Sequence, residues 1–330
     1  MKHGGKRPVP GLPFLVDEAA EAADTLAGSE VGDYRLVKRL ATGGMSEVWL
    51  AEAEAGPMLG KPVVVKRLLP ALRGEPDCVQ RFRAEAELGA QLSHENLART
   101  YGLIEEGDEL FLAQELVGGE SLAQIAAAAR RGGSRLEAAA VVQAGLGLLA
   151  ALAHLHARGL VHADVNPDNL VARPDGIVKL IDLGLAQRLG PEGNVPSPDG
   201  ALRGTPSYMS PEQVKARPLD ARSDLFSAAA ALWELFANRP LFSSETEFET
   251  LRRVRELAAP PLRAVWPEAP TSLERLLVRA LSKDASLRFH GAADFSAELE
   301  SAAVRAGLPP GRAALAAAVA RWAPKAPKPV

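Results

Sequence analysis

A single cysteine, Cys78, stands in the 330 residues, which leaves no disulfide framework and no cysteine-based zinc site to consider. That usage fits a reducing compartment, with Cys78 as ordinary filler. A long basic run is also lacking: 38 Lys and Arg face 41 Asp and Glu, for a net charge of -3. The footprint of a nucleic-acid or anionic-membrane binder is therefore missing, and any acidic ligand must be met by local charges. No apolar stretch reads as reaching the roughly 18 to 20 residues that span a bilayer. The basic residues 2–7 precede an apolar run over 9–16, but Pro10 and Pro13 interrupt it and Asp17 and Glu18 follow it, against an export signal. The expectation is a soluble, cytoplasmic chain with no nucleic-acid or membrane partner. Oligomeric state is not fixed by any of these patterns.

What is present changes character along the chain, without an internal repeat. Residues 1–30 mix a Pro/Gly-rich stretch with an Ala-acidic one, Asp17 to Ala27, and read as a flexible extension. From Tyr34 the pattern alternates with β-branched residues. Tyr34–Ala41, Glu47–Ala53, Pro62–Leu68, Leu97–Ile104 and Leu110–Val117 read as five strands of an antiparallel sheet. One helix, about Pro76 to Leu92, interrupts them; Phe82, Glu85, Gly89 and Leu92 fall on one face of it. After residue 117 helical periodicity dominates, over 121–131, 136–157, 222–238, 245–257, 271–282 and 292–306, with a further helix at 311–322. The stretch 159–221 is loop-rich, and loops of that length inside a domain usually carry function. This predicts an α+β protein of two lobes, 31–117 and 118–303, followed by a C-terminal helix and tail over 304–330.

Phosphate chemistry needs backbone N–H groups, a cation near the phosphates and carboxylates for a divalent metal. The chain supplies these in order: Thr42-Gly43-Gly44 between the first two strands, Lys66 on the third, and Glu85 on the helix. Singly, each has an ordinary reading, as a hairpin turn, an exposed strand lysine and a solvated helix residue. The second half weighs against three coincidences. His162-Ala163-Asp164-Val165-Asn166-Pro167-Asp168-Asn169 is followed by Asp182-Leu183-Gly184 after a strand candidate, then by Gly204-Thr205-Pro206 and Ser210-Pro211-Glu212.

In these motifs, over about residues 31–300, the chain resembles the protein kinase family, in particular the bacterial Ser/Thr kinases that look like their eukaryotic counterparts. The resemblance implies a two-lobed kinase fold with ATP in the cleft, magnesium as its metal with manganese as a second option, and a protein substrate bearing a Ser or Thr hydroxyl. It also implies roles. Ala41, Gly43, Gly44 and Ser46 belong to the loop over the phosphates, Lys66 meets the phosphates, and Glu85 is its helix partner. Asp164 accepts the hydroxyl proton, and Asn169 and Asp182 hold the metal. Val48, Val64 and Val171 sandwich the adenine, Gln114 is the gatekeeper, and Glu115 to Val117 form the hinge. Thr205 opens the segment that docks substrate, Glu212 pairs with Arg288, and Asp224 bonds the backbone of the catalytic loop.

The chain departs from the family pattern at several of these positions. Ala41 and Ser46 replace the first and third loop glycines, and Val64 replaces a small residue above the adenine. Ala163 stands where an Arg usually receives an activation-loop phosphate, and Ser197 is the sole hydroxyl residue between Asp182 and Gly204, which implies control that does not use that phosphate. Asn166 replaces a Lys that neutralises the transferring phosphate. A pseudokinase, serving as a nucleotide- or partner-binding module, is the alternative these departures would favour; Lys66, Asp164, Asn169 and Asp182 oppose it. A small-molecule phosphotransferase would have little use for residues 205–212. His154, His156 and His162 read as packing residues rather than zinc ligands.

Overall fold

In the computed structural model, which describes residues 26–189 and 202–323, the alternating segments form an antiparallel sheet. Its members are β1 (Glu30–Val31), β2 (Tyr34–Thr42), β3 (Ser46–Ala53) and β4 (Pro62–Leu68), then, after helix α1 (Pro76–Ala90), β5 (Thr100–Glu106) and β6 (Glu109–Glu115). The order across the sheet is β1-β2-β3-β4-β6-β5. The extra edge strand β1 is two residues paired to Arg35 and Tyr34, too short to carry a period that a sequence reading could detect. The first 25 residues, Ser197 and the tail from 324 lie outside the described residues.

Period-two geometry sorts the side chains of β4. Val63 and Val65 point into a core with Leu36, Trp49 and Ala51, whereas Leu68, on the face shared by Val64 and Lys66, packs against Phe82 and Ala86 of α1. Opposite Lys66 stands Val48 on β3 and Leu112 on β6. One face of the sheet thus packs on its own core, and the other carries α1 at one end and leaves Val48 and Val64 half-buried at the other. Helix α1 lies close because Gly89 has no side chain: a Cβ there would sit 2.2 Å from the Thr100 hydroxyl oxygen.

The second lobe is helical. A short β7 (Glu120–Ser121) leads into α2 (Leu122–Arg131), capped by the Ser121 hydroxyl, which accepts from the Gln124 N–H. Next come α3 (Ala138–His156), β8 (Leu160–Val161), β9 (Leu170–Ala172), β10 (Val178–Leu180) and β11 (Gln187–Arg188). The remaining helices are α4 (Pro211–Val214), α5 (Ala221–Ala237), α6 (Glu247–Glu256), α7 (Thr271–Ala280), α8 (Ala292–Arg305) and α9 (Arg312–Trp322). Side chains stop and start them: Ser210 and Gln213 form a reciprocal capping box on α4, and Thr246 caps α6.

The expectation of no bilayer-length apolar segment is corrected here. Helix α3 has 19 residues with a mean hydropathy of 1.8 and, by length and composition, could cross a membrane. Its residues are apolar nearly all round because it is packed nearly all round, against α5, α8 and α9. Two glycines permit that packing: a Cβ at Gly145 would meet Leu232 and Leu299 at 2.9 Å, and one at Gly147 would meet Val178 at 2.4 Å.

An ion pair between the fully buried Arg288 and the largely buried Glu212 closes the lower lobe. Arg288 donates to both Glu212 oxygens at 2.7 and 2.9 Å and to the carbonyls of Ser282 and Arg222 at 2.8 and 2.9 Å. Removing one partner leaves an uncompensated buried charge, so Arg288→Ala is expected to lose about 3–5 kcal/mol in urea unfolding.

Glu120 is buried to 2% exposure, and its nearest donor is the adjacent Ser121 N–H at 3.3 Å. Burial raises its carboxyl pKa from 4.5 to about 7. A raised carboxyl pKa favours the folded state most below pH 4.5 and loses that contribution as pH rises through 7. Glu120→Gln should therefore melt at a higher temperature than wild type above pH 7, with the gap closing as pH falls toward 4.5.

Candidate active site

Lys66 reaches across the cleft to two carboxylates. Its Nζ is 2.7 Å from Glu85 Oε1 on α1 and 2.8 Å from Asp182 Oδ1 on the turn after β10. Burial alone would lower its pKa, but the charges of Asp182 and Glu85 and its hydrogen bonds to both outweigh that and raise it. Lys66 in turn holds the Asp182 carboxyl down at about 2, while burial raises that of Glu85. Gly184 fits against both acids: a Cβ there would lie 3.1 Å from Asp182 Oδ1 and 3.2 Å from Glu85 Oε2.

Asp182 adopts a left-handed backbone, φ 66°, and so does Ala163, φ 63°. Non-glycine residues take that conformation at a cost and need support from their surroundings. Support at Ala163 comes from Asp224, whose buried carboxylate accepts the N–H groups of His162 and Ala163, both at 2.9 Å, and bonds His156 Nε2 at 2.8 Å. Gln213 adds a bond from Nε2 to the Ala163 carbonyl at 2.8 Å. The sequence pointed to Asp224 but not to His156, at the end of the apolar α3, or to Gln213, which follows the Ser210-Pro211-Glu212 motif.

Asp164 follows this strained residue. Its Oδ1 accepts from the Thr205 N–H at 2.8 Å and the Thr205 hydroxyl at 2.9 Å, and its Oδ2 from Asn169 Nδ2 at 3.1 Å. Asn169 Nδ2 also donates to the Asp164 carbonyl at 3.0 Å, so its carbonyl oxygen is the atom left without a partner among the described residues. Asn166, 2% exposed, is saturated within the loop. Its amide donates to Thr205 Oγ1 at 3.0 Å and the Asp164 carbonyl at 3.2 Å, and its Oδ1 accepts the N–H groups of Asp168 and Asn169, both at 3.0 Å. Asn166 therefore orders the loop and orients Thr205 rather than offering a free donor.

The other residues singled out by sequence line the same cleft from the sheet and the connection. Gly43 closes the β2–β3 turn by donating to the Ser46 carbonyl at 2.8 Å. Ala41 is paired with Val48 and is not among the residues with positive φ, so alanine sits there without backbone strain. Val64 pairs with Gln114, whose amide donates to the Thr100 hydroxyl at 3.4 Å. Glu115 ends β6, its carboxylate 2.8 Å from Lys179 Nζ, and Val117 lies just beyond the strand. Val171, on β9, pairs with Lys179 and Ser121.

Among the described residues no group of three or more His, Cys, Asp or Glu could hold a metal unaided. The donor set of one carboxylate, the half-exposed Asp182, and one amide oxygen, Asn169, fits a hard cation that takes its other ligands from phosphate and water.

Residues 34–296 match the family model described as a protein kinase domain. The serine/threonine-protein kinase Pkn1 of Myxococcus xanthus is 34% identical over 287 residues, 86% of this chain and 40% of Pkn1. PknA, a serine/threonine-protein kinase of Mycobacterium tuberculosis, is 33% identical over 87% of this chain and 66% of its own length. The chain thus spans about two fifths to two thirds of these relatives. The crystal structure of the Mycobacterium tuberculosis PknI kinase domain aligns with a TM-score of 0.65 and 27% identity, covering 84% of this chain and 98% of that one in its C20A form.

The depressed Asp182 pKa makes a prediction with a definite sign. Its contribution to folding is present above the ordinary value of 3.8 and fades as pH falls through about 2. Lys66→Met removes the cause, so a carboxyl NMR titration of that variant should show Asp182 titrating at a clearly higher pH than in wild type.

Proposed function

The chain belongs to the protein kinase domain family, and from that premise we propose that it transfers the γ-phosphate of ATP to serine or threonine hydroxyls of protein substrates. The observation that carries the reading is the Lys66 Nζ held between Glu85 at 2.7 Å and Asp182 at 2.8 Å. This arrangement fixes a cation where phosphates would lie and turns a half-exposed carboxylate toward the same place.

In this reading each residue binds, orients or moves a proton. Lys66 binds the phosphates, kept charged by its two acids. The Gly43-Gly44 turn, closed by the Gly43 N–H on the Ser46 carbonyl, covers them, and Val48, Val64 and Val171 enclose the adenine. The Glu115–Val117 connection reads the adenine edge, with Gln114 behind it. Asp164 exchanges its Thr205 bonds for the substrate hydroxyl, aligns it and accepts its proton, while Asn166 holds Thr205 and the Asp164 carbonyl in register. Asn169 and Asp182 would hold the divalent ion, magnesium before manganese. The bound ion supplies charge neutralisation at the phosphates.

Serine or threonine, rather than tyrosine, is supported by the printed names of Pkn1 and PknA and by the intact Thr205–Glu212 segment. A signalling role in the cytoplasm goes with that substrate class and with the nearly cysteine-free composition.

The test is transfer of labelled γ-phosphate from Mg-ATP to the chain itself and to a generic basic protein. Wild type should label Ser or Thr; Asp164→Asn and Lys66→Met should each lower the rate by at least about 10²–10³-fold, the scale for losing one preorganised electrostatic group. Nucleotide binding without labelling, unchanged in both variants, would instead support a binding module.

A further inference from the structure

A cavity of about 630 Å³ opens in the helical lobe between α4, the stretch that follows it, the first turn of α5 and the 283–285 loop ahead of α8. Lys283 is part of its lining, and the carboxylates around it are all engaged elsewhere. Glu212 takes two bonds from Arg288, Asp220 pairs with Arg222, and Asp284 accepts from the Ser286 N–H at 2.8 Å. Lys283 Nζ instead donates to the Val254 carbonyl on α6 at 2.6 Å and lies over the buried rings of Phe242 and Phe226, 4.3 and 5.0 Å from their centroids. The Arg288 guanidinium stands 4.9 Å from the same Phe226 ring. Two cations therefore share one ring, and among the described residues only Arg288 of the two has a carboxylate. Lys66 and Lys179, by contrast, each have one. A carbonyl and two aromatic rings compensate an ammonium for its lost water less fully than a carboxylate does. Burial, and after it the charges of Arg288 and Lys215, lower the Lys283 pKa to about 8 against an opposing effect of Glu212.

We propose that Lys283 is a nucleophilic lysine and a site of acylation, with small acyl phosphates as the donor class. The cavity falls within the range of about 300–1,000 Å³ in which small ligands are held. Lys215 and Arg217, exposed on its wall and without a carboxylate partner among the described residues, attract the phosphate end of such a donor. The neutral amine adds its lone pair to the acyl carbon and forms the C–N bond. The bond from that carbon to the phosphate oxygen breaks, and inorganic phosphate leaves with the electron pair and takes up the amine proton. The resulting amide retains one N–H for the Val254 carbonyl but carries no charge beside Arg288. No residue of the cleft takes part, so the inference stands apart from the kinase reading.

Acetyl phosphate is the probe, on the full chain, with the acetylation rate of each lysine followed by peptide mass spectrometry. Near neutral pH an amine of pKa about 8 is uncharged about 10²-fold more often than one of pKa 10.5. Lower basicity and confined approach work against that gain, so Lys283 should react at least about tenfold faster than the exposed Lys38, Lys61 and Lys215. Its rate should level off above its pKa while theirs keep rising, and in denaturing urea all four should react alike. Lys215→Ala, at an exposed position, should fold and slow Lys283 about threefold, through the lost attraction for phosphate and the lost repulsion of the ammonium. Lys283 reacting no faster than the exposed lysines, a preference that survives urea, or a rate that climbs with theirs through about pH 10 overturns the site. An equal or greater preference for Lys283 with acetyl-CoA, or an unchanged rate in Lys215→Ala, overturns acyl phosphates as the donor class.

Discussion

The lysine ammonium shared between two carboxylates is the interaction on which the arrangement of the cleft depends. Lys66 belongs to the sheet, Glu85 to α1 and Asp182 to the second lobe, so one buried cation ties the packed sheet and α1 to the second lobe at a point. A buried charge is tolerable when its partners compensate for lost hydration, and here two acids do so for one base. The set carries one net negative charge, which makes it receptive to a further cation, and the half-exposed Asp182 is the member open to it. The electrostatics that assemble the lobes also prepare the site.

Around that point the second lobe holds strain in place. Ala163 and Asp182 take left-handed backbones without being glycine, and each is anchored by side chains from elsewhere in the chain: Asp224 and Gln213 for one, Lys66 for the other. Asp224 sits in the first turn of α5, the helix whose residues are buried almost throughout. The loop that carries Asp164 is therefore fastened to a buried core helix, from which Asp164 takes its position.

Much of this was legible in the sequence, for a physical reason. Period-two alternation located β2, β3, β4 and β6 closely, because one face of each is in a core, and the spacing of Phe82, Glu85 and Gly89 placed Glu85 on the buried face of α1. Asp224, Glu212 and Arg288 were readable through the family pattern. What could not be read was either too short or too dispersed. β1 has two residues, His156 acts through one bond to the Asp224 carboxylate, and Gln213 reaches the Ala163 carbonyl fifty positions away. Asn166 reads in sequence as a lysine lost, whereas the fold uses its amide as the hub of four hydrogen bonds. Helix α3 was underestimated as an apolar segment because glycines and a glutamine punctuate it, though those glycines are what let neighbouring side chains close around it.

Helix α9 lies beyond the matched family region, yet Leu315, Ala318 and Val319 are buried in the same core as α3, and a Cβ at Gly176 would collide with the Arg312 carbonyl at 2.0 Å. On the ribosome this has a consequence in time. The most apolar of the described helices emerges well before the segment that covers one of its flanks, and at about 5–20 residues per second the delay amounts to many seconds. During that interval the nascent lower lobe presents an uncovered Leu- and Ala-rich groove, an obvious surface for a chaperone to guard, and release from it becomes coupled to synthesis of residues 312–322.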